Sequence, residues 1–164
     1  MRRLVLMRHA KSSWGDPGLD DHDRPLNKRG KRSADALGDW LRKQTIVVDE
    51  ALVSSSARTV ETLQRLGIDC DRQVLDQLYH AGSGDMLKAL KTRATGQTIL
   101  MLGHNPGIAW FARDLMLAQP DHPRFEDYPT GATLVARFDI DDWNALQPGT
   151  GRFEAFVTPR DLIE

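Results

Sequence analysis

Leu4-Val5-Leu6-Met7-Arg8-His9-Ala10-Lys11, close to the amino terminus, settles the fold class. Four apolar residues in an unbroken run, without the alternation of a half-exposed strand, predict a strand covered on both faces. Such strands belong to layered α/β domains. The Arg8-His9 pair then falls just outside the carboxyl end of the strand, where parallel sheets bind their ligands. Two further segments repeat the arrangement. Ala51-Leu52-Val53 leads into Ser54-Ser55-Ser56-Ala57-Arg58-Thr59, and the expected buried strand Thr98 to Leu102 leads into Gly103-His104-Asn105-Pro106-Gly107.

Helical patterns separate these strands. Residues 27–43 carry Ala34, Leu37 and Leu41 on one stripe with Trp40 beside it, and 57–66 lie between capping serines and Gly67. Ser83 is the expected cap of a helix reaching 94, and 105–107 open another with Ile108, Phe111, Ala112 and Leu115 on one face. Val74-Leu75, 133–138 and 153–157 read as the remaining strands. Alternating strands and helices with room for crossovers predict a three-layer α/β/α fold around a mostly parallel sheet.

The chain has 164 residues, which suits one domain spanning 1–164. Its 22 basic residues against 23 acidic ones argue against a general nucleic-acid binder, while leaving room for a local anion site. Cys70 is the single cysteine, so an internal disulfide and a four-cysteine zinc site are both excluded. No apolar run approaches the roughly 18 residues of a membrane span. The apolar segment after Met1-Arg2-Arg3 stops at Arg8, short of the roughly 7–15 residues of an export signal. The expectation is a cytoplasmic protein with neither membrane nor nucleic acid as partner.

If the three strand ends meet, Arg8, His9, Arg58 and His104 build one cationic pocket. It suits a phosphoryl group, because the guanidinium fork matches phosphate oxygens and each charge-assisted bond is worth roughly 1.5–3 kcal/mol. Arg58 sits at the first turn of its helix and 105–107 at the start of another, so unpaired helix amides add to the positive field. That field keeps at least one imidazole neutral, free to attack phosphorus.

Arg8-His9 after a first strand, then Arg58, then Gly103-His104, resembles the histidine phosphatase (phosphoglycerate mutase-like) superfamily. Met7-Arg8-His9-Ala10-Lys11, Asp23-Arg24-Pro25-Leu26-Asn27, 54–62 and Gly103-His104-Asn105-Pro106-Gly107 look most like its SixA-type phosphohistidine phosphatases. The resemblance runs from Leu4 to about Leu115. It implies a phosphoglycerate mutase-like fold and a metal- and cofactor-independent phosphatase. His9 would be the transiently phosphorylated nucleophile, with its other ring nitrogen donating to a carbonyl. Arg8 and Arg58 would clamp the phosphate and His104 would bind the transferring group. Asn105, Arg24 and Lys11 are further substrate-contact candidates. The expected partner is a phosphohistidine-containing protein or a small phosphorylated substrate.

Two positions depart from the family pattern. Ala10 replaces the usual glycine after Arg-His, a change of one methyl. In 74–80, where many members carry an acidic proton donor, Gln77 stands, and an amide supplies no proton at neutral pH. Asp76 and His80 are the substitutes within reach. General acid help is typically worth 10²–10⁴-fold, and it matters most for an alkoxide leaving group. Its absence, together with the short stretch between Arg58 and His104 that leaves little material for a lid, favours phosphohistidine. The alternatives are a small-molecule phosphomonoesterase or mutase of the same superfamily, and a non-catalytic phosphohistidine-binding adaptor.

Other residues invite plainer readings. His22 among Asp16, Asp20, Asp21 and Asp23 lacks the ligand spacing of a metal loop, so a solvated acidic loop is expected. His122 reads as part of an ordinary loop, Gly82-Ser83-Gly84 as a turn, Trp14 as a contact residue, and Trp40 and Trp110 as packing residues.

Overall fold

The computed structural model describes residues 1–163. Its sheet has six strands in the order β3-β2-β4-β1-β5-β6, where β1 is Arg2–Arg8, β2 Glu50–Ser54, β3 Asp71–Leu75, β4 Thr98–Gly103, β5 Thr133–Phe138 and β6 Arg152–Val157. The first four strands are mutually parallel, whereas β5 and β6 add on in antiparallel fashion. Helices α1 (Lys28–Lys43), α2 (Ala57–Leu66) and α5 (Pro159–Ile163) cover one face; α3 (Ser83–Arg93) and α4 (Gly107–Leu115) cover the other. The fold is the three-layer α/β/α arrangement read from the sequence.

The pleat of β1 explains its unbroken apolar run. Leu4 and Leu6 pack with Met86, Ile108 and Phe111 beneath α3 and α4, while Val5 and Met7 pack with Leu37, Leu41 and Leu63 beneath α1 and α2. All four are fully buried, which anchors the strand that delivers Arg8 and His9.

Three local readings change. Gly82, not Ser83, caps α3: its N–H donates to the Asp85 carboxylate at 2.9 Å, and Ser83 is already helical, bonded to Asp114 at 2.7 Å. The expected Gly82-Ser83-Gly84 turn is therefore a helix start. Trp110 is 48% exposed rather than packed, because it lies opposite the Ile108–Phe111–Leu115 stripe of α4. His122 lies in a loop, as expected, where it is bonded to Asp161 at 2.9 Å and packed edge-on against Phe156.

Two glycines sit where chain segments touch. A Cβ on Gly107 would lie 1.9 Å from the Ala81 carbonyl oxygen, and one on Gly30 would lie 2.1 Å from that of Lys11. The first lets α4 start directly behind His104, and the second lets α1 press against the loop that follows His9.

Candidate functional site

Neighbouring strand ends bring Arg8, His9, Arg58 and His104 together. Arg8 pairs with Gly103 across β1 and β4, and the His9 N–H donates to the Gly103 carbonyl at 3.2 Å. His104 follows β4 directly, so the two histidines stand side by side with ring centroids 5.2 Å apart. Arg58 comes from the first turn of α2, whose cap Ser56 accepts from the Thr59 N–H. Its Nε donates to His9 Nε2 at 3.3 Å, and its Nη2 reaches His104 Nδ1 at 3.4 Å.

The ring orientations follow from their partners. His9 Nδ1 lies 2.6 Å from the Ala10 carbonyl oxygen, so that nitrogen carries the hydrogen and donates it. Nε2 is then the lone-pair nitrogen, and it points toward the pocket. His104 Nε2 lies 2.8 Å from Ser54 Oγ, with Ser56 Oγ at 3.5 Å, which leaves Nδ1 facing Arg58. Burial, helped by the neighbouring guanidinium charges of Arg8 and Arg58, pushes His9 down to about 3. Burial and the His9 and Arg58 neighbours push His104 to about 3 as well. Both imidazoles are neutral near pH 7.

Arg8 donates through Nη1 to the Tyr128 carbonyl at 3.2 Å, while its buried Nε has no partner among the described residues. Asn105 donates its amide to the Asp127 and Tyr128 carbonyls at 2.8 and 3.1 Å. Its buried Oδ1 likewise has no partner among the described residues. Tyr128 is itself buried, its hydroxyl bonded to the Leu6 carbonyl at 2.5 Å. It thereby fixes the wall on which Arg8 and Asn105 rest, a role that nothing in its surrounding sequence signals.

A cavity of about 310 Å³ opens above these groups, lined by Arg8, His9, Arg58, His104, Asn105, Lys11, Ser12, Trp14, Thr130 and Asp21. Of the candidates, Arg24 is not among the lining residues: its guanidinium lies 3.7 Å above the Trp14 ring centroid and backs it.

Asp21 is a further site residue that sequence reasoning missed. The expected solvated acidic loop is a short 3-10 turn, Asp21–Asp23, folded over the pocket. The Asp21 carboxylate accepts from Arg58 Nη2 at 3.0 Å and from the Tyr79 hydroxyl at 2.5 Å. The Tyr79 hydrogen bond, followed by those from Arg58, holds its carboxyl below the usual range. The same loop places His22 against Ser55 Oγ at 3.0 Å. Asp76 and Gln77 are exposed and do not line the cavity, because residues Asp76–Leu78 turn Leu78 inward instead. His80 also stays outside the lining. Its ring stacks on Tyr79 at 3.9 Å, and its backbone is held at φ 59°, an unusual setting for a non-glycine residue. Among the described residues, no group of three or more histidine, cysteine or acidic side chains could hold a metal ion. No helix among them is long and apolar enough to cross a membrane.

Residues 4–80 match the model of the histidine phosphatase superfamily (branch 1). An uncharacterized protein of Mycobacterium tuberculosis is 34% identical over 163 residues, covering 94% of this chain and all of that one. The phosphohistidine phosphatase SixA of Escherichia coli is 27% identical over 171 residues, covering 98% and 96%. A solved structure from Nakamurella multipartitia, provisionally assigned as phosphohistidine phosphatase SixA, superposes with a TM-score of 0.85 at 30% identity, covering 96% of each chain.

Proposed function

This chain belongs to the histidine phosphatase superfamily, and we propose that it dephosphorylates phosphohistidine in proteins through a covalent intermediate on His9. The observation that carries the reading is the His9 ring: Nδ1–H is held by the Ala10 carbonyl, leaving a neutral Nε2 3.3 Å from the Arg58 guanidinium. A phosphoryl group entering the cavity meets the Arg8 and Arg58 guanidinium groups with its oxygens and His9 Nε2 with its phosphorus, and His104 donates to it through Nδ1–H when its Nε2 accepts from the Ser54 hydroxyl. Likeness to proteins named SixA supports the choice of substrate.

Transfer proceeds in two balanced steps. His9 Nε2 forms a bond to phosphorus while the substrate's P–N bond breaks, its electron pair returning to the departing imidazole. Water then attacks the phospho-His9 phosphorus. That P–N bond breaks, Nε2 regains its lone pair, and the protons of water pass to orthophosphate and solvent. Arg8 and Arg58 hold the oxygens throughout, so catalysis is mainly positioning and charge stabilisation. The guanidinium charges stand where a metal would, and we propose that none is used.

The leaving group decides the substrate. The carboxylate in the cavity belongs to Asp21, and Tyr79 and Arg58 keep it ionised, so it has no proton to lend an alkoxide. An imidazole protonated from solvent departs as a neutral base and needs no such donor. The test compares kcat/KM for a phosphohistidine peptide with that for glycerol phosphate and a hexose phosphate. Preference for the peptide by about 10²-fold or more is expected, from the usual worth of general acid help. Faster turnover of the alkyl esters would overturn the substrate assignment in favour of a small-molecule phosphomonoesterase.

A further inference from the structure

Trp14 stands five residues after His9 and is 71% exposed, yet the chain around it is firmly tied. The Ser13 N–H donates to the Pro25 carbonyl at 2.7 Å, and the Asn27 N–H to the Lys11 carbonyl at 3.0 Å. A β-bridge joins Ser12 to Leu26. The indole is thus held out at the cavity mouth on an anchored loop. Arg24 braces it, with the guanidinium 3.7 Å above the ring centroid and only 14% of the side chain exposed. Arg24 is placed in turn by Asp21, whose carboxylate lies 3.7 Å from its Nε and also touches Arg58. A single run of contacts therefore links the phosphate-binding arginine to the indole.

We propose that Trp14 seats the leaving group: the face not covered by Arg24 stacks on a flat, unsaturated ring and aligns its bond to phosphorus with His9. The proposal rests on the function above and makes it more specific, because the imidazole of phosphohistidine is such a ring and an alkyl or ammonia leaving group is not. Arg24 occupies one face and leaves the other uncovered, and Trp14 lines the cavity together with His9 and Arg58. The brace also fixes the indole before substrate arrives, which lowers the ordering cost of stacking. Aromatic stacking of this kind corresponds to about a fivefold to tenfold effect.

The two-step reaction isolates the effect, since the leaving group is present in the first step and gone in the second. Rapid-mixing experiments on wild type, Trp14→Ala and Trp14→Phe would use three phosphoryl donors: a phosphohistidine peptide, 4-nitrophenyl phosphate and phosphoramidate. In Trp14→Ala, phosphorylation of His9 should slow about fivefold to tenfold with the peptide and the aryl ester and stay within twofold with phosphoramidate. Hydrolysis of phospho-His9 should be unchanged, and Trp14→Phe should recover most of the loss. An equal loss with phosphoramidate, or no loss with the two aromatic donors, overturns the proposal. Wild type that uses the aryl ester and phosphoramidate but not the peptide contradicts the proposed function, while the Trp14→Ala ratio between those two donors still decides this point. Failure with all three donors contradicts both.

Discussion

Arg58 carries more of the site than any other side chain, because one guanidinium touches His9, His104 and Asp21 at once. Arg58→Ala should lower kcat by about 10²–10³-fold, the usual loss when a group stabilising transition-state charge is removed. Arg58→Lys should recover little, since an ammonium cannot span both rings and a phosphate. Steady-state kinetics on the two variants check this. Asp21 acts in the opposite sense: its carboxylate sits on the guanidinium that phosphate must use. Asp21→Asn removes a competing anion, so inhibition by orthophosphate should tighten, by about tenfold if the carboxylate's repulsion costs about 1.4 kcal/mol. An unchanged inhibition constant would mean that Asp21 does not compete.

At the scale of elements, the site depends on where helices begin. Helix α4 starts at Gly107 against the Ala81 carbonyl, so Gly107→Ala must push apart the starts of α3 and α4, with His104 only three residues upstream. We expect a loss of about 2 kcal/mol or more in urea unfolding, together with weaker phosphate binding. Wild-type stability in that variant would contradict the close approach. The apolar runs of β1 and β4 and the serine cap before Arg58 announced these starts in the sequence, since burial on both faces and an N-cap each leave a local pattern. Asp21 left no such pattern. An acidic residue in a Gly, Asp and Pro-rich loop reads the same whether it points to water or to Arg58, and the partners that settle it, Arg58 and Tyr79, are far along the chain. Tyr128 was unreadable for the same reason, as its anchor is the Leu6 carbonyl on the first strand. Trp110 shows the converse, a large apolar residue on the outer face of a helix whose apolar stripe was otherwise correctly assigned.

For the whole molecule, the two buried imidazoles tie stability to pH. His9 and His104 drop from about 6.5 to about 3 on folding, chiefly through burial. Between those values the unfolded chain binds protons that the native state refuses, so stability rises with pH and is lost as pH falls from about 6.5 toward 3. Each histidine contributes a slope of up to about 1.4 kcal/mol per pH unit. The lowered carboxyl of Asp21 adds loss of the same sign, but only nearer its ordinary carboxylate range. Urea unfolding between pH 7 and 4.5 therefore isolates the histidines, and His104→Asn should show a shallower slope there than wild type. Equal slopes would contradict a neutral, buried His104.

The central claim is a covalent bond between phosphorus and His9, and trapping it is the most direct test. Protein mixed briefly with a phosphorus-labelled phosphohistidine peptide is quenched in alkali, where phosphohistidine survives, and its peptides are mapped by mass spectrometry. The account predicts label on His9 alone, lost on acid treatment and absent from His9→Ala. Substrate that binds both proteins equally and leaves no label on the wild type would contradict it and identify the chain as a phosphohistidine-binding adaptor.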